Sequence, residues 1–86
     1  MRRRELTGHE REAVAARIEA VGKWLQRYEP PQTVTEDILG QQLRLMLGEL
    51  RDAARMGRRS RVRKLLAQVE KKVLELWAAR HARKKP

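Results

Sequence analysis

The fold is decided by residues 53–62, whose sequence is AARMGRRSRV. Gly57 is the residue type that most often follows a helix in the left-handed conformation, and Ser60 is a frequent N-cap of a new helix. A connection this short brings two helices back alongside each other in opposite directions. The segment therefore predicts an antiparallel helical hairpin whose turn runs from Gly57 to Ser60.

Apolar residues recur at alternating steps of three and four on both sides of this turn, and again nearer the N-terminus. Such spacing places them on one face of an α-helix. The three stripes are Val14, Ile18, Val21, Leu25 and Tyr28; Leu39, Leu43, Met46, Leu50 and Ala53; and Val62, Leu66, Val69, Val73 and Leu76. They predict helices over residues 8–28, 34–56 and 60–82.

Start and stop signals agree with these bounds. Thr7 with Glu10, and Thr33 with Glu36, have the spacing of a capping box, in which each residue bonds the backbone of the other. The proline pair at 30–31 predicts the break between helices 1 and 2, because proline lacks an amide donor and restricts the preceding residue.

The fold class predicted is all-α: one domain, residues 1–86, forming an antiparallel up-down-up three-helix bundle. We expect the chain to fray from Arg80 onward as a basic tail. The basic extensions of the bundle are Arg2, Arg3 and Arg4 at one end and residues 83–86 at the other.

The net charge of +10 is distributed unevenly along the chain. Residues 1–50 hold eight basic and eight acidic side chains, whereas residues 51–86 hold thirteen basic and three acidic ones. A basic excess of this kind is typical of proteins that bind polyanions. In an up-down-up bundle the start of the chain lies beside the second turn, so both regions would add cations to one pole.

We predict a nucleic-acid-binding surface centred on this pole and continuing along the face of helix 2, opposite its apolar stripe, that carries Arg44, Arg51 and Arg55. Ser60 and the amides that begin helix 3 would add a phosphate contact. The candidate residues are Arg2, Arg3, Arg4, Arg44, Arg51, Arg55, Arg58, Arg59, Ser60, Arg61, Arg63 and Lys64.

The sequence offers no constellation of catalytic or metal-ligating residues. Cysteine is absent, Ser60 is the single serine, and His9 and His81 lie far apart without metal-ligand spacing. We therefore expect a protein that is not an enzyme and has no cofactor, no metal and no small-molecule substrate. No apolar run reaches the roughly 18 residues of a membrane span, so we expect a cytoplasmic protein without a membrane partner.

A second apolar strip lies beside the main stripe of helix 2. Its members are Val34, Ile38, Leu45 and Met56. The favoured interpretation is burial against helix 1; the alternative is an interface, carried by Ile38, Leu45 and Met56, with a partner or a second copy. For Trp24 and Trp77 the favoured interpretation is core packing near Ile38 and Leu39, and the alternative is stacking on nucleic-acid bases.

These observations give two functional hypotheses. The first is an accessory protein that binds the phosphate backbone of DNA or RNA with little sequence specificity, as a homodimer or as a subunit of a larger nucleoprotein complex. The second is a helical adaptor or inhibitor that docks on an acidic protein surface.

Overall fold

The computed structural model describes residues 5–82 and confirms the three-helix bundle. Helix α1 spans Gly8–Gln26, α2 spans Val34–Met56 and α3 spans Arg59–Ala82. Helix α2 packs closely on α3 and less extensively on α1. Within the described range no strand forms, and a single isolated bridge joins Glu5 to Arg58.

The turn between α2 and α3 forms as its glycine predicts. Gly57 adopts φ 75°, in the left-handed region that a side chain disfavours. The amide of Gly57 donates to the Ala54 carbonyl, and the amide of Arg58 donates to the Ala53 carbonyl. This pattern is a Schellman motif, which satisfies the last carbonyls of α2 and reverses the chain.

Both N-terminal caps involve the predicted residues. Thr7 and Glu10 form a complete capping box, with hydrogen bonds of 3.2 and 2.8 Å. The Thr33 hydroxyl accepts from the Glu36 amide at 3.1 Å, but the Glu36 carboxylate accepts from the amide of Gln32, the residue before the cap.

Two predicted helix bounds were wrong by one or two residues. Helix α1 ends at Gln26, because the amides of residues 27–29 donate to carbonyls three positions back and the turn tightens. Helix α3 begins at Arg59, so Ser60 is not its N-cap. The Arg58 carbonyl already accepts the Val62 amide at 2.9 Å, which starts the helical bonds earlier than predicted.

The core contains most of the predicted stripes, with a small rotation of α2 and α3. Leu47 and Leu65, which lie outside the stripes, are buried, whereas stripe residues such as Met46 and Leu66 are half-buried. The buried apolar residues are Val14, Ile18, Val21, Leu25, Tyr28, Leu43, Leu47, Leu50, Ala53, Val62, Leu65, Val69 and Leu76.

The predicted burial of the second apolar strip is wrong. At about 100° per residue, Leu45 points away from the side of α2 that carries Leu43, Leu47 and Leu50. Helix α1 therefore does not cover Leu45, and the whole strip is exposed to solvent. The exposed fractions are 75% for Val34, 49% for Ile38, 71% for Leu45 and 63% for Met56.

The two tryptophans have different environments. Trp24 packs half-buried against the core, with its ring centroid 4.5 Å from that of Tyr28. Trp77 is 49% exposed and stacks on His81, with ring centroids 4.2 Å apart. Its prediction as a core residue is wrong because this position of α3 lies outside the buried side of the helix.

The end of the bundle opposite the turn is fixed by a buried ion pair. The Glu36 carboxylate, whose side chain is 1% exposed, accepts hydrogen bonds from two nitrogens of Arg80, both at 2.8 Å. Arg80 also donates to the Tyr28 carbonyl at 3.1 Å and lies 4.5 Å from the centre of the Tyr28 ring. The hydrogen bond to Glu36 raises the pKa of Arg80 above its ordinary value. The prediction that Arg80 belongs to a frayed tail is therefore wrong, because Arg80 connects α3 to the start of α2 and to Tyr28, in the turn that follows α1.

Two leucines of α2 provide a test of the observed rotation. Leu50 is fully buried and Leu45 is 71% exposed. We expect Leu50→Ala to lower the free energy of unfolding by about 2–5 kcal/mol. The matched control Leu45→Ala should change it by less than about 0.5 kcal/mol. Denaturant unfolding of both variants measures the difference, and equal losses would contradict the assignment of the core face.

Candidate functional site

The first turn of α1, the end of α2 and the start of α3 meet at one end of the bundle. The amide of Leu6 donates to the Gly57 carbonyl at 3.0 Å, and Glu5 forms a bridge with Arg58. We call this region, residues 5–12 and 51–64, the turn pole. It contains eight arginine and lysine residues and four carboxylates.

Internal ion pairs occupy some of the cations and leave others available. Seven pairs form within residues 5–82: Arg17–Glu70, Lys23–Glu19, Arg44–Glu29, Arg55–Asp52, Arg59–Glu10, Lys72–Glu75 and Arg80–Glu36. Five of these pairs lie outside the turn pole. Most of the paired carboxylates of residues 5–82 therefore bind cations outside the turn pole.

Five predicted cations form no ion pair with any described residue. They are Arg51, Arg58, Arg61, Arg63 and Lys64, and all are exposed. Four of them lie in the turn or in the first two turns of α3. They are close in sequence, so their mutual repulsion is relieved by solvent and counterions rather than by carboxylates of α3.

Arg59 has a structural role that the sequence did not indicate. One of its terminal nitrogens donates to both Glu10 oxygens, at 2.7 and 2.9 Å, and its side chain is 26% exposed. The hydrogen bond from Arg59, followed by that from the Thr7 amide, lowers the pKa of Glu10. The pair joins the N-terminal cap of α1 to the start of α3, so Arg59 helps to hold the pole together.

Arg44 lies outside the turn pole. It pairs with Glu29, in the connection between α1 and α2. It precedes Gly57 by thirteen residues of α2, which corresponds to roughly 20 Å along the helix axis. Arg55 remains accessible although it forms an ion pair. Its pair with Asp52, at 3.4 Å, joins two highly exposed side chains and is therefore weak.

Arg11 is a cation of the turn pole that the sequence analysis missed. With Arg51 and Arg55 it lines an open groove between α1 and α2, together with Ala15, Ile18, Glu19 and Ala54. A Cβ atom placed on Gly57 would lie 2.8 Å from the Arg11 guanidinium. The sequence could have indicated Arg11, because it lies one helical turn after the Thr7 cap, at the end of the bundle that also contains the α2–α3 connection. It was missed because residues 1–50 have equal numbers of basic and acidic side chains.

The remaining predicted site residues are Ser60 and the N-terminal arginines. Ser60 is exposed in the first turn of α3, between Arg59 and Arg61. Arg2, Arg3 and Arg4 lie outside the described residues. The chain enters the described range at Glu5, which is beside Arg58.

None of the helices in residues 5–82 is long and apolar enough to cross a membrane. No protein-family model matches the chain, and no curated protein or solved structure is significantly similar to it.

The pair between Arg59 and Glu10 predicts a pH dependence of stability. Because folding lowers the pKa of Glu10, its contribution exists above the unfolded pKa and is lost as pH falls through the folded pKa. We expect Glu10→Gln to be less stable than the wild type near pH 7, with the difference shrinking as the pH falls below about 4.3. Glu12→Gln, on the exposed side of α1, is the matched control. Thermal melts over this pH range measure both, and a constant difference for Glu10→Gln would contradict the assigned pair.

Proposed function

We propose that the protein binds the phosphate backbone of nucleic acid through the turn pole, with little preference for sequence. The single observation that carries this proposal is the group of cations that the fold brings together at the turn pole without carboxylate partners among residues 5–82. Nucleic acid is the partner whose charge density matches such a surface, since each phosphate contact by Lys or Arg releases condensed counterions.

The type of residue supports phosphate as the ligand. Six cations of the turn pole form no ion pair within the described part of the chain, and all of them except Lys64 are arginines. The planar guanidinium presents two parallel N–H groups to phosphate oxygens, which a lysine ammonium does not. Arg59, held by Glu10, fixes the start of α3 relative to α1. The fold therefore holds the helices that carry the binding side chains in place before a ligand arrives.

The position of the aromatic residues supports contact with the backbone rather than with bases. The chain has three aromatic residues, Trp24, Tyr28 and Trp77, and none of them belongs to the turn pole. Stacking on exposed bases is the main source of affinity in many single-strand binders. Without it, affinity at the pole depends on charge, and binding should fall steeply with salt.

The exposed strip on α2 favours a second candidate function. A helical adaptor that docks on an acidic protein would use the turn pole for charge and the Leu45 side of α2 for apolar contact. In that case an acidic protein partner, and not duplex DNA or RNA, would be bound at physiological salt. The two functions are distinguished by the ligand that is retained as salt increases.

The central prediction concerns four exposed cations of the turn pole. Changing Arg58, Arg61, Arg63 and Lys64 to Gln should weaken binding to duplex DNA or RNA. It should also reduce the slope of log K against log salt by roughly 0.9 for each phosphate that the variant no longer neutralises. Fluorescence anisotropy from about 50 to 200 mM salt measures both effects.

The control removes the same charge from other parts of the surface: Lys23, Arg27, Arg44 and Lys71, all to Gln. These residues are exposed and lie outside the turn pole. An equal loss of affinity in both quadruple variants would mean that net charge matters and the pole does not. Unchanged binding in the turn-pole variant would exclude the proposed site.

A separate prediction tests the groove between α1 and α2. The double variant Arg11→Gln and Arg51→Gln should reduce the slope of log K against log salt relative to the wild type. The reduction should be roughly 0.9 for each phosphate left without its cation. Both residues are exposed and without an ion pair in residues 5–82, so the change should leave the melting temperature nearly unaltered. An unchanged slope with intact folding would confine the site to the turn and α3.

A further inference from the structure

Large exposed apolar side chains occur on two helix faces of the described chain. Helix α2 carries four of them, Val34, Ile38, Leu45 and Met56, and α3 carries Leu74 at 66% and Trp77 at 49% exposure. We call these surfaces the α2 outer face and the α3 outer face. Both lie away from the buried core.

The two faces carry opposite charges. The α2 outer face includes the exposed carboxylates Asp37 and Glu49 beside its apolar residues, and neither forms an ion pair with a described residue. Asp52, also exposed on this face, is paired with Arg55. On α3, Arg63 and Lys71 are exposed and form no ion pair within residues 5–82, whereas the nearby Glu70 is already paired with Arg17. The α3 outer face is therefore apolar and basic, and the α2 outer face is apolar and acidic.

The fold directs these two faces away from each other. Helices α2 and α3 pack closely through their buried sides, which leaves the α2 outer face turned away from α3, and Leu74 lines an open groove between α3 and α1. One face cannot cover the other within a chain. A second copy placed alongside in the same orientation would present its α2 outer face to the α3 outer face of the first, and the helices would again be antiparallel.

The residues on the two faces also match along the helix axis. Glu36 on α2 contacts Arg80 on α3, so the two residues define one level of the bundle. Leu45 is nine positions after Glu36, and Lys71 is nine positions before Arg80, so they lie at the same level. Leu74 lies three positions from that level, about 4.5 Å along the axis.

The same register pairs the ends of the two faces. Trp77 lies at the level of Leu39, one residue from Ile38. Toward the turn, Glu49 lies at the level of residue 67, four positions or about 6 Å along the axis from both Lys71 and Arg63. When two copies stand side by side without an axial shift, the exposed apolar residues of the two faces therefore lie within about one helical turn of each other, and so does a carboxylate with two cations.

We propose that the α2 outer face is the docking site for the α3 outer face of a second copy of this chain. The contact is heterologous, since each copy uses two different faces, and it can continue from copy to copy in an open row. A single helix face is small compared with the roughly 800 Å² per partner of stable complexes, so the association should be weak. This inference does not rest on nucleic-acid binding.

Two charge substitutions test the proposal because each disables one face. Leu45→Lys places a cation opposite the basic α3 outer face, and Leu74→Asp places a carboxylate opposite the acidic α2 outer face. Both positions are at least 66% exposed, so folding should be preserved. Ala16→Lys and Ala16→Asp, exposed on α1, add the same charges elsewhere and are the controls. Circular dichroism melts verify the fold of each variant, and sedimentation measures mass up to about 1 mM without nucleic acid.

The expected results form a complementation pattern. The wild type and both Ala16 controls should increase in mass with concentration, whereas each face variant alone should associate about ten- to a hundredfold more weakly. An equimolar mixture of the two face variants should recover association. It should stop at twice the mass of one chain, because one intact α2 face meets one intact α3 face.

Three outcomes would overturn the proposal. A wild type that stays monomeric at the highest concentration would show that no second copy docks there. Normal association of Leu74→Asp would show that α2 faces pair with each other. A mixture that stays monomeric would exclude the heterologous contact. Because all three substituted positions lie outside the turn pole and no nucleic acid is present, none of these results bears on the proposed function.

Discussion

The buried pair between Glu36 and Arg80 is the interaction on which the arrangement of the helices depends. Glu36 lies in the first turn of α2, and its carboxylate is almost completely removed from water. Such a group is costly to bury unless it is paired and hydrogen-bonded. Arg80 supplies two hydrogen bonds and also contacts the carbonyl and the ring of Tyr28. The end of α1, the start of α2 and the end of α3 are thereby fixed in one register.

A similar but more exposed contact operates at the other end. The guanidinium of Arg59 joins α3 to the capping box of α1 through Glu10. Both ends of the bundle therefore use an arginine of α3 to bind a carboxylate in the first turn of another helix. These arginines are part of the structure. The exposed cations of the turn pole take part in neither contact. They are in excess there because most of the paired carboxylates bind cations outside the turn pole.

The α2 outer face follows from the same packing. Helix α2 has apolar residues on more than one side, and the bundle covers the side that contains Leu43 and Leu50. Leu45 and Ile38 are left exposed on a surface that also carries carboxylates. In a protein with a net charge of +10, the α2 outer face thus carries exposed apolar residues and carboxylates from Val34 to Met56, where it reaches the turn pole.

The sequence by itself determined the three helices, their antiparallel order and the turn at Gly57. These features follow from local rules: apolar residues at helical spacing, threonine at a helix start, and glycine where a left-handed residue is required. The antiparallel order also placed the second turn beside the residues that precede α1, as the bond between Leu6 and Gly57 shows.

Only the tertiary structure decided the rotation of each helix and the partners of individual charges. Leu47 is buried in place of Met46 because adjacent positions on a broad apolar side both satisfy the periodic pattern, and packing against the other helices selects between them. The pairs Arg59–Glu10 and Arg80–Glu36 join residues 49 and 44 positions apart. Their formation depends on the relative rotation and axial offset of two helices, which the residues of one helix do not specify.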